Sequence, residues 1–318
     1  MTSDPAIQRT PLGCSVIVCT FNRAESLQQT LQALSHQQVE SGLEWEVIVV
    51  DNCSTDSTQA VVKEVQRAWP LLRYAYEGQQ GLSHARNLGI NQAHGEVLLF
   101  TDDDVLPEIT WVQTVLKGMR RYAADACGGF IGPIWEVPPP SWLTTRFHGF
   151  LAIRADRTDD YEIMSGIDAP FGANMAVRRA VLDQVGKFDV TRGRVGAVLS
   201  SGEDGELFER ILAAGFRVMF LGQARVHHRI EAWRVTKRYL RRWRFQTSQN
   251  LARCYEAPGK RIFGIPRFMY RQMLVAVCRA VIGHFACTAD EAFNRELVIM
   301  HFLGLMSGLS RREMDTRT

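Results

Sequence analysis

Three consecutive carboxylates, Asp102-Asp103-Asp104, close a short apolar run, EVLLF at 96–100. Three neighbouring negative charges repel one another, and a divalent cation is their natural partner. Their hard oxygens suit Mg2+ or Mn2+, and Mg2+ in particular is usually shared between one or two carboxylates and substrate phosphates. The same residues would also serve as a solvated acidic turn ahead of Pro107. A second acidic pair, Glu203-Asp204, follows Ser200-Ser201-Gly202 and precedes an amphipathic pattern at Leu207, Ile211 and Leu212. A carboxylate held at a helix start and facing a cleft suits a general base acting on a hydroxyl. The rival reading is an acidic first turn favoured by the helix dipole. One imidazole of His227-His228 suits a metal site or a diphosphate contact, or else a structural hydrogen bond. Arg86 offers a planar fork for a phosphate, unless it is an ordinary exposed helical arginine.

The elements that must position these groups read as alternating strands and helices. Residues 15–20 (SVIVCT) form a β-branched run ending in the turn Thr20-Phe21-Asn22-Arg23, and Leu27, Leu31 and Leu34 then share a helical face. Residues 45–50 (WEVIVV) end at Asp51, and a helix carrying Val61, Val62 and Val65 follows. Residues 72–76 give a weaker strand, and 81–90 (GLSHARNLGI) pass from loop to helix. Such alternation predicts an α/β fold with a mostly parallel sheet and right-handed crossovers. Ligands of such sheets sit beyond the carboxyl ends of the strands. Thr20, Asp51 and Asp102 to Asp104 all fall at that edge.

Beyond residue 125 the pattern loosens. The Gly- and Pro-rich stretch 128–140 reads as loop or extended chain, 169–177 as turn and strand, 202–214 as loop feeding a helix, and 216–221 as a strand. From 233 to 245 the chain is basic and aromatic, and it reads as helical onward to about residue 309.

Composition narrows the class. With 46% apolar and 22% charged residues the chain is globular, and a net charge of +3 is too small to argue for nucleic acid. The seven cysteines make no CxxC pair and no zinc-finger spacing, so reduced thiols in a cytoplasmic protein are expected. Residues 1–11 lack the apolar stretch of a signal peptide. The longest apolar stretch, 273–287, is broken by Arg279 and His284 and is too short to span a bilayer.

Seven segments in order, SVIVCTFNRAESL, VIVVDNCSTDST, GLSHARNLGI, FTDDD, GANMAVRRAVLDQVGKFD, GEDGELFERI and the histidine pair, closely resemble glycosyltransferase family 2, from about residue 15 to about 240. The resemblance implies the GT-A fold, a Rossmann-like sheet flanked by helices, here with a helical C-terminal extension. It implies an inverting, metal-dependent transfer of a sugar from a nucleotide donor, UDP-linked by family habit, to a saccharide or lipid-linked saccharide in cell-surface or exopolysaccharide assembly. Thr20, Asn22, Arg23, Asp51, Arg86, Asp102, Asp103 and Asn174 would contact the nucleotide sugar. Asp104, Asp102 and His228 would hold Mn2+ or Mg2+, with His227 as the alternative histidine. Asp204 would be the catalytic base and Glu203 its neighbour. The expected division is a flexible segment 1–12, a catalytic domain 13–230 and an extension 231–318. Within the catalytic domain the nucleotide half covers about 13–125 and the acceptor half about 126–230.

Arg241-Arg242-Trp243-Arg244 only partly echoes the Q-x-x-R-W motif of processive members, so transfer of single sugars is expected. Basic residues interleave with Trp233, Tyr239 and Trp243, and Lys260, Arg261, Arg267 and Arg271 precede the apolar stretch. This pattern fits peripheral contact with the anionic cytoplasmic face of a membrane, or a plain solvated helix face. The rival functions are a sugar-nucleotide-binding scaffold without catalysis, a nucleic-acid binder and a nucleotidyltransferase. The retained Asp204, the complete constellation ahead of the basic stretch and the lack of a Gly-rich phosphate loop weigh against each in turn.

Overall fold

A computed structural model describes residues 13–315 apart from 197, 200, 257 and 258. The segment 1–12 and Ser200 therefore lie outside the described residues. The chain forms two compact units. The first holds residues up to Ile131 with Arg157–Asp189 and Asp204–His227, and the second holds Gly132–Asp156, Val190–Glu203 and the chain from His228 on.

The first third alternates as expected: β1 (Cys14–Thr20), α1 (Ala24–Ser35), β2 (Trp45–Asp51), α2 (Thr58–Ala68), β3 (Leu72–Tyr76), α3 (Leu82–Gln92) and β4 (Val97–Asp102). There follow β5 (Val105–Pro107), α4 (Trp111–Arg121), β6 (Ala126–Trp135), β7 (Tyr161–Glu162), β8 (Met175–Arg178), α5 (Arg179–Val185), α6 (Glu203–Ala213) and β9 (Val218–Ile230). Among the described residues these strands make one nine-stranded sheet in the order β3-β2-β1-β4-β8-β6-β9-β5, with β7 beside β9. The ladders β3-β2-β1-β4 are parallel, whereas β8 runs antiparallel to both β4 and β6. The Gly-rich segment expected as loop or extended chain is strand as far as Trp135.

Period-two alternation sends neighbouring side chains to opposite faces of the sheet. Val16, Val18, Val47, Val49 and Leu99 join Leu27, Leu31 and Leu34 of α1 and Trp111 and Val115 of α4. Ile17, Ile48, Val50, Leu98 and Phe100 join Ala85 and Ile90 of α3 and Leu207, Phe208 and Ile211 of α6. Covering both faces is what makes the central strands continuously apolar, and each buried leucine contributes about 1.5–3 kcal/mol. On α3, Gly89 permits close approach: a Cβ there would meet Ile17 Cγ2 at 2.5 Å. Arg86, one turn earlier on the same helix face, is carried under the sheet by that approach.

The second unit contains α7 (Lys237–Leu251), the hairpin β10 (Arg261–Ile262) and β11 (Ile265–Pro266), α8 (Arg267–Ala286) and α9 (Ala289–Asp315). Its apolar core includes Phe147, Leu151, Ile230, Leu240, Phe293 and Leu297. Among the described residues no helix is long and apolar enough to cross a membrane. All seven cysteines are free thiols.

At the amino ends of the strands, buried Glu46 accepts hydrogen bonds from Ser15 Oγ (2.8 Å), Arg73 Nη1 (2.6 Å) and the His94 amide (2.7 Å). Burial pushes its pKa up, but the bonds from Arg73, His94 and Ser15 outweigh that and hold it below the usual carboxylate value. A depressed pKa gives stability that is full above the ordinary value near 4.5 and lost as pH falls through the folded value. We predict that Glu46→Gln costs about 2–3 kcal/mol at neutral pH, because it uncouples Arg73 and Ser15. In chemical denaturation the gap to wild type should narrow as the pH drops below 4.5.

Candidate functional site

Strand register builds the site. Thr20 lies opposite Asp51 in the β1–β2 ladder and Cys19 opposite Asp102 in the β1–β4 ladder, so three strand ends finish at one edge. All of the site residues at this edge belong to the first unit.

Asp51 is buried, and its two oxygens accept from the Ser54 amide (2.9 Å) and from Tyr74 Oη (2.9 Å). Burial first, and then the carboxylate beside it, pushes the Tyr74 phenol up to about 12, so Tyr74 stays a donor. Each carboxylate oxygen keeps a further lone pair able to accept another hydrogen bond. Asn22 clasps the next loop: its Oδ1 accepts from the Thr55 amide at 2.7 Å and its own amide donates to Ser54 Oγ at 2.9 Å. Two non-glycine residues at this edge have positive φ, Asn22 at 52° and Cys53 at 69°. Asparagine tolerates that region and cysteine seldom visits it, so the loop is held in a form its own residues do not favour. Asn52 Oδ1 accepts from the Gly81 amide at 2.7 Å, which sets the start of α3.

The three aspartates behave differently. Asp103 is buried and accepts from Thr20 Oγ1 at 2.7 Å, and its backbone oxygen accepts from Thr30 Oγ1 at 3.0 Å. Burial pushes its carboxyl up to about 7, against the pull of Arg23 and with the push of Asp104 and Asp102. Arg23 Nη1 is ion-paired with Asp104 Oδ2 and lies 3.4 Å from Asp103 Oδ1. Asp102 keeps 35% of its side chain exposed, the most open of the three.

On the other side of Asp102, the Arg86 side chain is only 4% exposed. Its Nη1 donates to Asp204 Oδ1 at 2.6 Å, its Nη2 lies 3.9 Å from Asp102 Oδ1, and its guanidinium stands 5.1 Å from the Phe188 ring centre. Asp204 Oδ2 accepts from the Gly172 amide at 2.8 Å. One guanidinium thus ties Asp102 to Asp204 at the start of α6. Glu203, the first residue of that helix, is buried.

Asn174 faces the core. Its amide nitrogen donates to the Phe130 and Ala224 carbonyls (2.9 and 2.7 Å), and its oxygen accepts from Trp111 Nε1 at 2.9 Å. The side chain expected to contact the nucleotide sugar thus braces β6, β9 and α4. His227 Nε2 lies 3.3 Å from Glu108 Oε1. His228 belongs to the second unit, where it is buried with Nε2 3.1 Å from Arg234 Nη1.

For a metal, the donor chemistry fits a hard divalent ion shared with a ligand. Asp102, partly exposed, and Asp104, buried and ion-paired with Arg23, offer carboxylate oxygens, and among the described residues no three His, Cys, Asp or Glu side chains gather as a protein cage. Sequence reasoning missed Tyr74, Ser54 and Asn52, although they had a signal in their place beside the strand end at Asp51. Gly172 opens the GANMAVRR segment that carries the resemblance, but its bond to Asp204 rests on a residue remote in sequence.

The model of the family described as glycosyl transferase family 2 matches residues 15–186. The chain is 26% identical over 225 residues to a glucosyl-dolichyl phosphate glucuronosyltransferase of Haloferax volcanii, covering 70% of each chain. It is 28% identical over 239 residues to the succinoglycan biosynthesis protein ExoM of Rhizobium meliloti, covering 74% of this chain and 73% of that one. Among solved structures, it resembles the mannosyltransferase PcManGT from Pyrobaculum calidifontis in complex with GDP-Man and Mn2+. The TM-score is 0.59 at 19% identity, over 96% of this chain and 88% of that one, a likeness of fold.

At Gly172 a Cβ would come within 1.9 Å of Arg86 Nη2 and 3.1 Å of Asp204 Oδ2. Gly172→Ala is predicted to push Arg86 off Asp204 and to lower stability by about 1–3 kcal/mol. A thermal melt checks the stability, and a crystal structure of the variant checks the displaced guanidinium.

Proposed function

The chain belongs to glycosyl transferase family 2, and from that premise we propose that it transfers a sugar, with inversion, from a nucleoside diphosphate donor to the hydroxyl of a saccharide acceptor. The observation that carries this reading is the edge on which Asp51, the three aspartates, Arg86 and Asp204 converge. In it, residues 13–125 take the nucleotide and 126–230 the acceptor. A UDP-sugar is the favoured donor, and GDP-sugars belong in any test because the structural neighbour is complexed with one. The names of the two relatives support a lipid-linked saccharide or an exopolysaccharide intermediate as acceptor.

In this mechanism Asp51 accepts from the base, and Thr20, Asn22 and Arg23 shape the nucleoside end. Asp102 and Asp104 would hold Mn2+ or Mg2+, which would offset charge on the diphosphate. Arg86, already in the site, adds a fixed positive charge that needs no reorganisation when the diphosphate departs. The acceptor oxygen attacks the anomeric carbon as the bond to the diphosphate oxygen breaks, and that electron pair leaves with the diphosphate. Asp204 takes the hydroxyl proton. Its ion pair with Arg86 and its bond from the Gly172 amide aim it before the acceptor arrives. Attack from the face opposite the leaving group inverts the anomeric centre.

The test is donor binding and turnover across UDP-, GDP- and dTDP-sugars with Mn2+, Mg2+ or chelator. One donor should bind in a metal-dependent way, and Asp104→Ala should abolish that dependence. Asp204→Asn, whose Oδ1 can still accept from Arg86, should leave binding near wild type and lower turnover by about 10²–10⁴-fold. Failure of every donor to bind under every metal condition would sink the proposal.

A further inference from the structure

Residues 260–286 of the second unit hold Lys260, Arg261, Arg267, Arg271 and Arg279 and no Asp or Glu. They fold as the β10–β11 hairpin running into α8, a helix of 20 residues. The two parts are tied together: the Arg267 amide donates to the Lys260 carbonyl at 3.0 Å, and Tyr270 Oη donates to the Ile262 carbonyl at 3.0 Å.

Only a narrow stripe of α8 is buried, Met269, Ala276 and Gly283 at seven-residue spacing. The opposite side carries Tyr270, Leu274, Val277, Val281 and Phe285, positions that share one helix face. Leu274 is 65% exposed, Val281 56% and Phe285 85%. Lone exposed apolar residues are ordinary, but a continuous row along about 22 Å of helix is not.

The hairpin tip adds an independent observation. Its two turn residues, Phe263 and Gly264, have φ of 48° and 77°. A two-residue turn with both φ positive favours Asn-Gly, and a phenylalanine there is strained. Yet Phe263 is 82% exposed and so makes little compensating contact. Strain kept without packing points to a ligand for that ring. Along the flank of α8, Phe268, Arg271, Val275, Arg279, Arg295 and Phe302 line a groove of about 750 Å³ that combines apolar walls with guanidinium groups.

Charge selects the occupant. A second copy apposed through this face would set an acid-free, five-cation segment against itself. A bilayer-spanning placement is barred by the apolar length, since no described helix is long and apolar enough to cross. An interface with anionic headgroups outside and acyl chains inside matches both the cations and the rings.

We propose that the hairpin and α8 form a docking surface for a bilayer containing anionic phospholipid. Phe263, Leu274, Val281 and Phe285 enter the acyl boundary, and Arg271 and Arg279 meet headgroup phosphates.

Cosedimentation of the full chain with phosphatidylcholine vesicles, with and without phosphatidylglycerol, tests this. The readout is lipid binding alone, so its failure is separate from any failure of sugar transfer. The chain should pellet with the anionic vesicles, and salt should weaken the binding. Arg271→Gln and Arg279→Gln should each lower the partition about fivefold. Leu274→Ser with Phe285→Ser should abolish it. Phe263→Gly relieves the backbone strain, so it should weaken binding with an unchanged or higher melting temperature. Three results would overturn the proposal: no pelleting with either vesicle, pelleting that all these variants leave intact, or a homodimer that the Leu274/Phe285 variant dissociates while vesicles stay unbound.

Discussion

A guanidinium enclosed by protein must find its counter-charge inside, because an unpaired buried cation costs several kcal/mol. Arg86 meets that demand with Asp204 at 2.6 Å, Asp102 at 3.9 Å and the Phe188 ring at 5.1 Å. The arrangement requires α3 to lie close on β1, which Gly89 permits, and residue 172 to lack a side chain. It also draws the start of α6 to the end of β4 through a pair 118 positions apart in sequence, Arg86 and Asp204. Remove that one pairing and the edge keeps its aspartates but loses the relation between them.

The aspartate run shows a second constraint. Parallel register brings Asp103 into the space beside Thr20, where burial pushes its proton affinity up to about 7. Arg23 pairs with Asp103 and Asp104, and Arg86 lies 3.9 Å from Asp102. Asp102 remains the open member. An edge so loaded with negative charge and flanked by two arginines is suited to a ligand that brings cation and anion together, as a metal-bound diphosphate does.

The parallel half of the fold was legible because its strands are short β-branched runs and its helices repeat Leu27-Leu31-Leu34 in register. Thr20, Asp51 and Asp102 could be placed at one edge from topology alone. The antiparallel insertion of β8 between β4 and β6 was not legible, since pairing order is set by contacts remote in sequence. Nor was the length of β6, whose glycines mimic a loop although Gly129 lies tight against the Ala224 carbonyl, which a Cβ would meet at 2.2 Å. Asn174 could be singled out by motif but not oriented, because its Trp111, Phe130 and Ala224 partners come from three other segments. The positive φ of Cys53 leaves no mark in composition.

The proposed role of this edge is to receive a nucleoside diphosphate, and a crystal structure of the chain with UDP or GDP and Mn2+ would test it. The base is expected against Asp51 and the diphosphate beside Asp102 to Asp104 within reach of Arg86. A nucleotide bound elsewhere, with Arg23 still paired to Asp104 and no ligand at the strand ends, would contradict it.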